Sequence, residues 1–289
     1  MLLRHGVGAA LVALLALGCD EETAASTDRE VTIQFAAQVG EEPFSCASTF
    51  SGVGTSATRI APLDFRMYVH AVRLVRATGE EVPVELADDG IWQRDGAVLL
   101  DFEDGSGSCN TGSPETNFVV KGAVPDHDDY KSVRFRLGLP EELNHLDAAT
   151  APAPFNIPGM WWAWKGGYKF VRMDFDRVDL PASEESTYFF HLGATTCDGT
   201  PATGFSCAYV NVPEITLDLD VATQSIVFDT KRLYEASDLS LQPDFATDFV
   251  PGCMAFEGDP ECPAVFERLG MTFESTAPAA SAQSVFSVR

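Results

Sequence analysis

Three short segments gather the residues of this chain best able to do chemistry: Leu143-Asn144-His145, Met160-Trp161-Trp162-Ala163-Trp164-Lys165-Gly166-Gly167-Tyr168, and Phe190-His191-Leu192-Gly193. The middle segment holds a methionine and three of the four tryptophans, and two of the five histidines flank it. Neutral imidazole beside a thioether is a donor set that suits copper better than hard cations. Indole has a large apolar body and one N–H donor, so a cluster builds either dense core or a walled, dry site. His145, His191, His70 and Met160 are therefore the candidate metal ligands, packed against indole rings. Plainer readings stand beside this one. A histidine in a strand is often only structural, which fits His70 and, in the acidic run 126–129, His127. Tryptophans on a strand are ordinarily core.

Strands must position these residues. Apolar and polar side chains alternate at 31–35 and at 65–75, where Phe65, Met67, Val69, Ala71 and Arg73 share one face and Arg66, Tyr68, His70, Val72 and Leu74 the other. Further strands are expected at 96–102, 117–124, 132–139, 168–175, 186–192, 214–221 and 225–229, with Gly, Pro, Asp and Asn between them. Helical periodicity is confined to 230–239 and 263–269, with a turn at 143–150. The pattern predicts an all-β chain: a single antiparallel β-sandwich-like domain with long loops. The connection from Gly138 to Tyr168 is too long to be a mere link, too aromatic to be disordered, and stiffened by Pro140, Pro152, Pro154 and Pro158. A rigid loop held by strands at both ends suits a preorganised site.

The start of the chain reads as an export signal. A short basic opening precedes an apolar run from Gly6 to Leu17 that is too short to span a bilayer, ending in Leu15-Ala16-Leu17-Gly18-Cys19. This predicts a signal peptide over 1–18 and a lipidated Cys19, although Ala16 stands where Leu is usual. Residues 19–30 follow as a flexible tether, 31–275 as the β domain, and 276–289 as a polar tail. A periplasmic or envelope location, with membrane contact only through the lipid, is expected.

With 43 acidic against 19 basic residues the formal charge is −24, and no basic patch suggests nucleic acid or an anionic membrane as partner. The 20 phenylalanines supply a sizeable core. If Cys19 carries lipid, six of the seven cysteines remain, an even number suited to an oxidising compartment. Counting leaves every pairing open. Spacing favours Cys197–Cys207 and Cys253–Cys262, each closing a short turn-rich loop, with Cys46–Cys109 left over. The absence of any Cys-x-x-Cys argues against a thiolate metal site.

Other constellations are weaker. The run 101–107 could be a calcium-binding turn but lacks the alternating ligands of a calcium loop. Asp218 and Asp220 invite comparison with a glycosidase pair, yet sequence spacing says nothing of separation in space. With no phosphate loop, nucleophile elbow or His-Glu-x-x-His, no enzyme is expected. A surface sandwich binding carbohydrate or protein through stacked tryptophans is the alternative to a copper site.

Taken in order, Asp-Phe-Arg-Met-Tyr-Val, Trp92-Gln93, Leu-Leu-Asp-Phe-Glu-Asp-Gly before Cys109, Arg-Phe-Arg-Leu-Gly-Leu-Pro, Leu-Asn-His, Met-x-Trp-x-Trp-x-x-Gly-Tyr-Lys-Phe and Phe-His-Leu-Gly-x-Thr-x-Cys resemble the MbnP family, the metallo-mystery-pair four-Cys motif proteins. The similarity spans roughly residues 31–265. It implies a periplasmic copper-binding protein partnered with a dihaem cytochrome c peroxidase-like protein that oxidises a tryptophan to kynurenine. Carried over, His145 and His191 are ligands and Trp162 or Trp164 is the oxidised residue. His70 stands where many relatives have a small residue. The four family cysteines map onto Cys46, Cys109, Cys197 and Cys207, leaving Cys253 and Cys262 as an additional pair. Asn144 and Asp147 are candidates to hold the imidazoles.

Overall fold

The computed structural model describes residues 28–163, 165–181, 184–242 and 249–289. The signal segment, Cys19, most of the tether and Trp164 lie outside the described residues. Among the described residues no helix is long and apolar enough to cross a membrane.

The principal strands are β1 (Asp28–Val39), β2 (Thr58–Arg76), β3 (Ala97–Asp101), β4 (Val119–Pro125), β5 (Tyr130–Leu137), β6 (Val171–Arg177), β7 (Thr187–Leu192), β8 (Glu214–Asp218), β9 (Ser225–Asp229) and β10 (Phe286–Val288). One sheet runs β10-β9-β1-β4 to the short strand Glu85–Leu86. The other runs β8-β5-β2-β6-β7 to Gly252–Cys253, with β3, Phe50–Val53 and Glu81–Pro83 also on β2. Pairing is antiparallel except β1 with β9 and β7 with Gly252–Cys253. In β1, Val31, Ile33 and Phe35 turn inward and Thr32 and Gln34 outward, the alternation of a half-buried strand. The inner faces meet through Phe65 against Phe228 (4.9 Å) and Phe35 against Phe135 (5.5 Å). The fold is an all-β sandwich.

The alternation expected along β2 breaks twice. Against β6 the register shifts between Asp174 and Phe175, and against β5 it shifts between Arg134 and Arg136. At the second break Ala71 adopts φ +49°. Each extra residue flips the strand's faces. Ile60 therefore shares the core with Phe65, Met67, Val69, Val72 and Leu74, whereas Asp64, Arg66, Tyr68 and His70 turn to the outer face. Val72 and Leu74, expected opposite Phe65, lie with it because of the bulge.

Two further expectations change at the ends. The stretch 276–289 is not a tail throughout: β10 extends the sheet beside β9, with Val285 and Phe286 buried. Its apolar stretch, Val285-Phe286-Ser287-Val288, is too short to stand out until a sheet edge supplies partners. The helix expected over 230–239 is a single turn, Thr230–Leu233, capped by Asp229, and a second helix spans Cys262–Arg268. Among the described residues three disulfides form: Cys46–Cys109, Cys197–Cys207 and Cys253–Cys262.

The long connection after β5 forms a third layer on the outer face of the larger sheet. Tyr68 Oη donates to Pro154 O (2.8 Å) and Tyr168 Oη to Phe155 O (2.5 Å). Tyr68, Phe155 and Tyr168 pack ring to ring beneath it. The candidate site lies between sheet and loop.

Candidate metal centre

On the outer face, alternation in three neighbouring strands sets charged side chains where the other face sets core. Asp64 and Arg66 of β2 stand opposite Asp174 and Arg172 of β6, and Arg172 stands opposite His191 of β7. The intervening Phe65, Met173 and Phe190 point into the core. The polar groups pair in a chain. His191 Nε2 lies 2.8 Å from Asp174 Oδ1, and Arg172 Nε donates to Asp174 Oδ2 (2.7 Å). Arg172 Nη1 reaches Asp64 Oδ2 (2.9 Å), and Arg66 grips Asp64 with two nitrogens. Asp64, Asp174 and His191 are all at most 4% exposed, so this chain is screened little by water.

Burial fixes the state of His191. It pushes the imidazole below its ordinary pKa, with Asp174 opposing. Burial also pushes the Asp174 carboxyl up, but the hydrogen bonds from His191 and Arg172 offset this and hold it low. A neutral imidazole beside a carboxylate donates, so Nε2 carries the proton and Nδ1 the lone pair. Nδ1 is buried with no hydrogen-bond partner among the described residues. A buried acceptor without a partner costs about 1–3 kcal/mol, and such groups call for an explanation.

The hairpin Trp161–Ala163/Gly167–Tyr168 lies over this layer. Preceding it, the turn Pro158–Met160 rests on the guanidinium groups: a Cβ on Gly159 would lie 2.6 Å from Arg172 Nη1. Lys169 Nζ donates to Gly159 O (3.0 Å), its pKa lowered to about 8 by burial and the nearby Arg172 charge. The Trp162 ring lies 6.4 Å from that of His191 and 5.3 Å from Phe256. Trp162 Nε1 is likewise buried without a hydrogen-bond partner. The glycine of Phe-His-Leu-Gly makes room for this indole, since a Cβ on Gly193 would lie 2.4 Å from Trp162 Cζ3.

His145 is tied to the hairpin through its neighbour Asn144. Tyr168 N–H donates to Asn144 Oδ1 (3.0 Å), which turns the Asn144 amide nitrogen toward His145 Nε2 (3.2 Å). That nitrogen therefore accepts, with Cys207 Sγ 3.4 Å away and the ring stacked on Phe205 at 4.4 Å. The ligand atoms of His145, Cys197 and Cys207 lie within 4.8 Å of one another, but both sulfurs are committed to a disulfide. His145, His191 and His70 form no such group of three among the described residues. His70 faces a separate cavity, and Met160 is fully buried in the apolar core. Asp147 caps a turn by accepting from Ala149 N (3.0 Å).

Sequence reasoning missed Asp174, Arg172, Asp64 and Arg66. The signal was present as charged residues alternating with Phe65, Met67, Val171, Met173 and Phe175, a pattern that puts ion pairs on one face of a sheet.

A profile of the MbnP family matches residues 28–255. The chain belongs to the MbnP family. MbnP from Methylosinus trichosporium has a solved structure that superposes with a TM-score of 0.77 at 30% identity, covering 91% of this chain and 98% of that one. No curated protein sequence matches. The matched span of this MbnP-family chain includes His70, His145, Met160, Trp162, Asp174 and His191.

Proposed function

We propose that this protein binds copper in the bacterial envelope, through His191 and His145 beside Trp162, and acts as a binding protein rather than an enzyme. One observation carries the reading. His191 is buried and neutral, its Nε2 is held by Asp174, and its Nδ1 has no hydrogen-bond partner. Carboxylate-held imidazole is the usual arrangement of a metal-ligating histidine. Trp162 lies beside His191, and the two proposed donors are uncharged nitrogen, which fits a soft ion and not a hard one. His145 would exchange the Asn144 amide for the ion. Asp174 and Arg172 orient His191, and Trp162 packs between His191 and Phe256.

Copper bound there would be a redox-active centre beside an oxidisable indole. The finer reading follows the resemblance: a dihaem cytochrome c peroxidase-like partner converts Trp162 or Trp164 to kynurenine, and Cys19 anchors the protein by lipid in the periplasm. Protein isolated from its native host tests this by metal analysis and intact mass. Bound copper with the mass gain of Trp-to-kynurenine conversion is expected. Metal-free protein with unmodified tryptophans that binds a glycan instead would overturn it.

A further inference from the structure

The bulge at Ala71 leaves His70 on the outer face, away from His191, and its surroundings suggest a use. His70 is 6% exposed, and its Nδ1 lies 2.8 Å from Gly138 O. A carbonyl only accepts, so Nδ1 carries the proton and Nε2 the lone pair. Burial lowers the pKa of this imidazole, with the Gly138 bond opposing, so the ring is neutral near pH 7. No hydrogen bond to Nε2 forms among the described residues, and His70 walls a cavity of about 350 Å³.

The rest of the wall gives the cavity its chemistry. Leu139, Phe170 and Ala194 make it largely apolar, and Asn144 and Cys207 close one side. Both of those residues touch His145 Nε2, at 3.2 and 3.4 Å. The cavity therefore ends against the contacts of a ligand proposed above. Arg136, Glu141 and Glu142 stand at its exposed margin.

We propose that this cavity is a docking position for monovalent copper on its way to His145, with the His70 Nε2 lone pair as its protein donor. The proposal takes the identity of the ion from the copper reading. Inside the cavity one neutral nitrogen stands among mostly apolar side chains, and the carboxylates of Glu141 and Glu142 at its exposed margin are too few to replace the oxygen shell of calcium or magnesium. The nitrogen can bind a soft ion that keeps a ligand it arrived with. One imidazole holds such an ion weakly, as a way-station requires.

The test is one titration read at three separate rings. Wild-type apoprotein labelled with 15N-histidine is titrated anaerobically with Cu(I) supplied as its acetonitrile complex, and His70→Gln serves to assign the His70 signals. The His70 Nε2 resonance should shift on Cu(I) addition while Nδ1 keeps its proton, and it should continue to shift after His191 has saturated. A His70 signal that stays still throughout overturns the docking position, whatever His145 and His191 do. If His70 shifts while His191 does not, the docking position stands and the copper site at His191 falls.

Discussion

Asp174→Asn separates orientation of His191 from mere packing. The wild-type carboxylate accepts twice, from His191 Nε2 (2.8 Å) and from Arg172 Nε (2.7 Å). An asparagine in the same place has one oxygen and one N–H2, so it satisfies only one donor as they stand. Arg172 cannot give up its protons, but imidazole can move its own. The oxygen should therefore turn to Arg172 and the amide N–H2 to His191, driving the proton from Nε2 to Nδ1. Nδ1, the proposed copper donor, then loses its lone pair. The fold should lose about 1–3 kcal/mol, because one charge-assisted hydrogen bond becomes neutral while Arg172 keeps Asp64. Loss of a partner that holds a ligand lowers metal affinity by about 10–100-fold. Long-range 1H–15N spectra of the imidazole report the tautomer, urea unfolding the stability, and competition with a Cu(I) chelator the affinity. A variant whose Nδ1 stays unprotonated and whose affinity is unchanged would show that Asp174 does not orient His191 for copper.

Other consequences follow from the same contacts. Gly193→Ala places a methyl 2.4 Å from Trp162 Cζ3, so the indole should shift away from His191, altering tryptophan fluorescence at a cost of about 1–3 kcal/mol in stability. Replacing Cys46 and Cys109 together by alanine opens a link across 63 residues and should cost about 4 kcal/mol in a urea melt, from restored unfolded-state entropy. Asp101 is pushed up to about 8, by burial first and then by Glu103 and Asp64, with Arg66 opposing. A raised carboxyl destabilises the fold as pH climbs from its unfolded value toward the folded one. The gain from Asp101→Asn over wild type should therefore grow between pH 5 and pH 8, by up to about 1.4 kcal/mol per unit. A flat difference across that range would contradict it.

Much of the fold was legible because half-buried strands write their faces into the chain. The alternations at Val31–Phe35 and Phe65–Val69 are found as β1 and the first half of β2's core face. The bulge was not legible, because Ala71 reaches φ +49° without a glycine to advertise it. Its effect is large, since it carries Val72 and Leu74 inward and leaves His70 outside. The two histidines nearest the tryptophans were legible by type. The carboxylate of Asp174 was not, because its bond to His191 joins residues 17 apart across two strands. Asn144, expected to hold the far nitrogen of a ligand imidazole, instead bonds Nε2 of its neighbour His145.

Copper content of the His145→Ala/His191→Ala protein, set beside wild type prepared in the same way, tests whether these two imidazoles hold the metal. Retained copper in wild type and none in the double variant are expected, with matching circular dichroism. Equal copper in both would place the metal elsewhere and contradict the copper site proposed above.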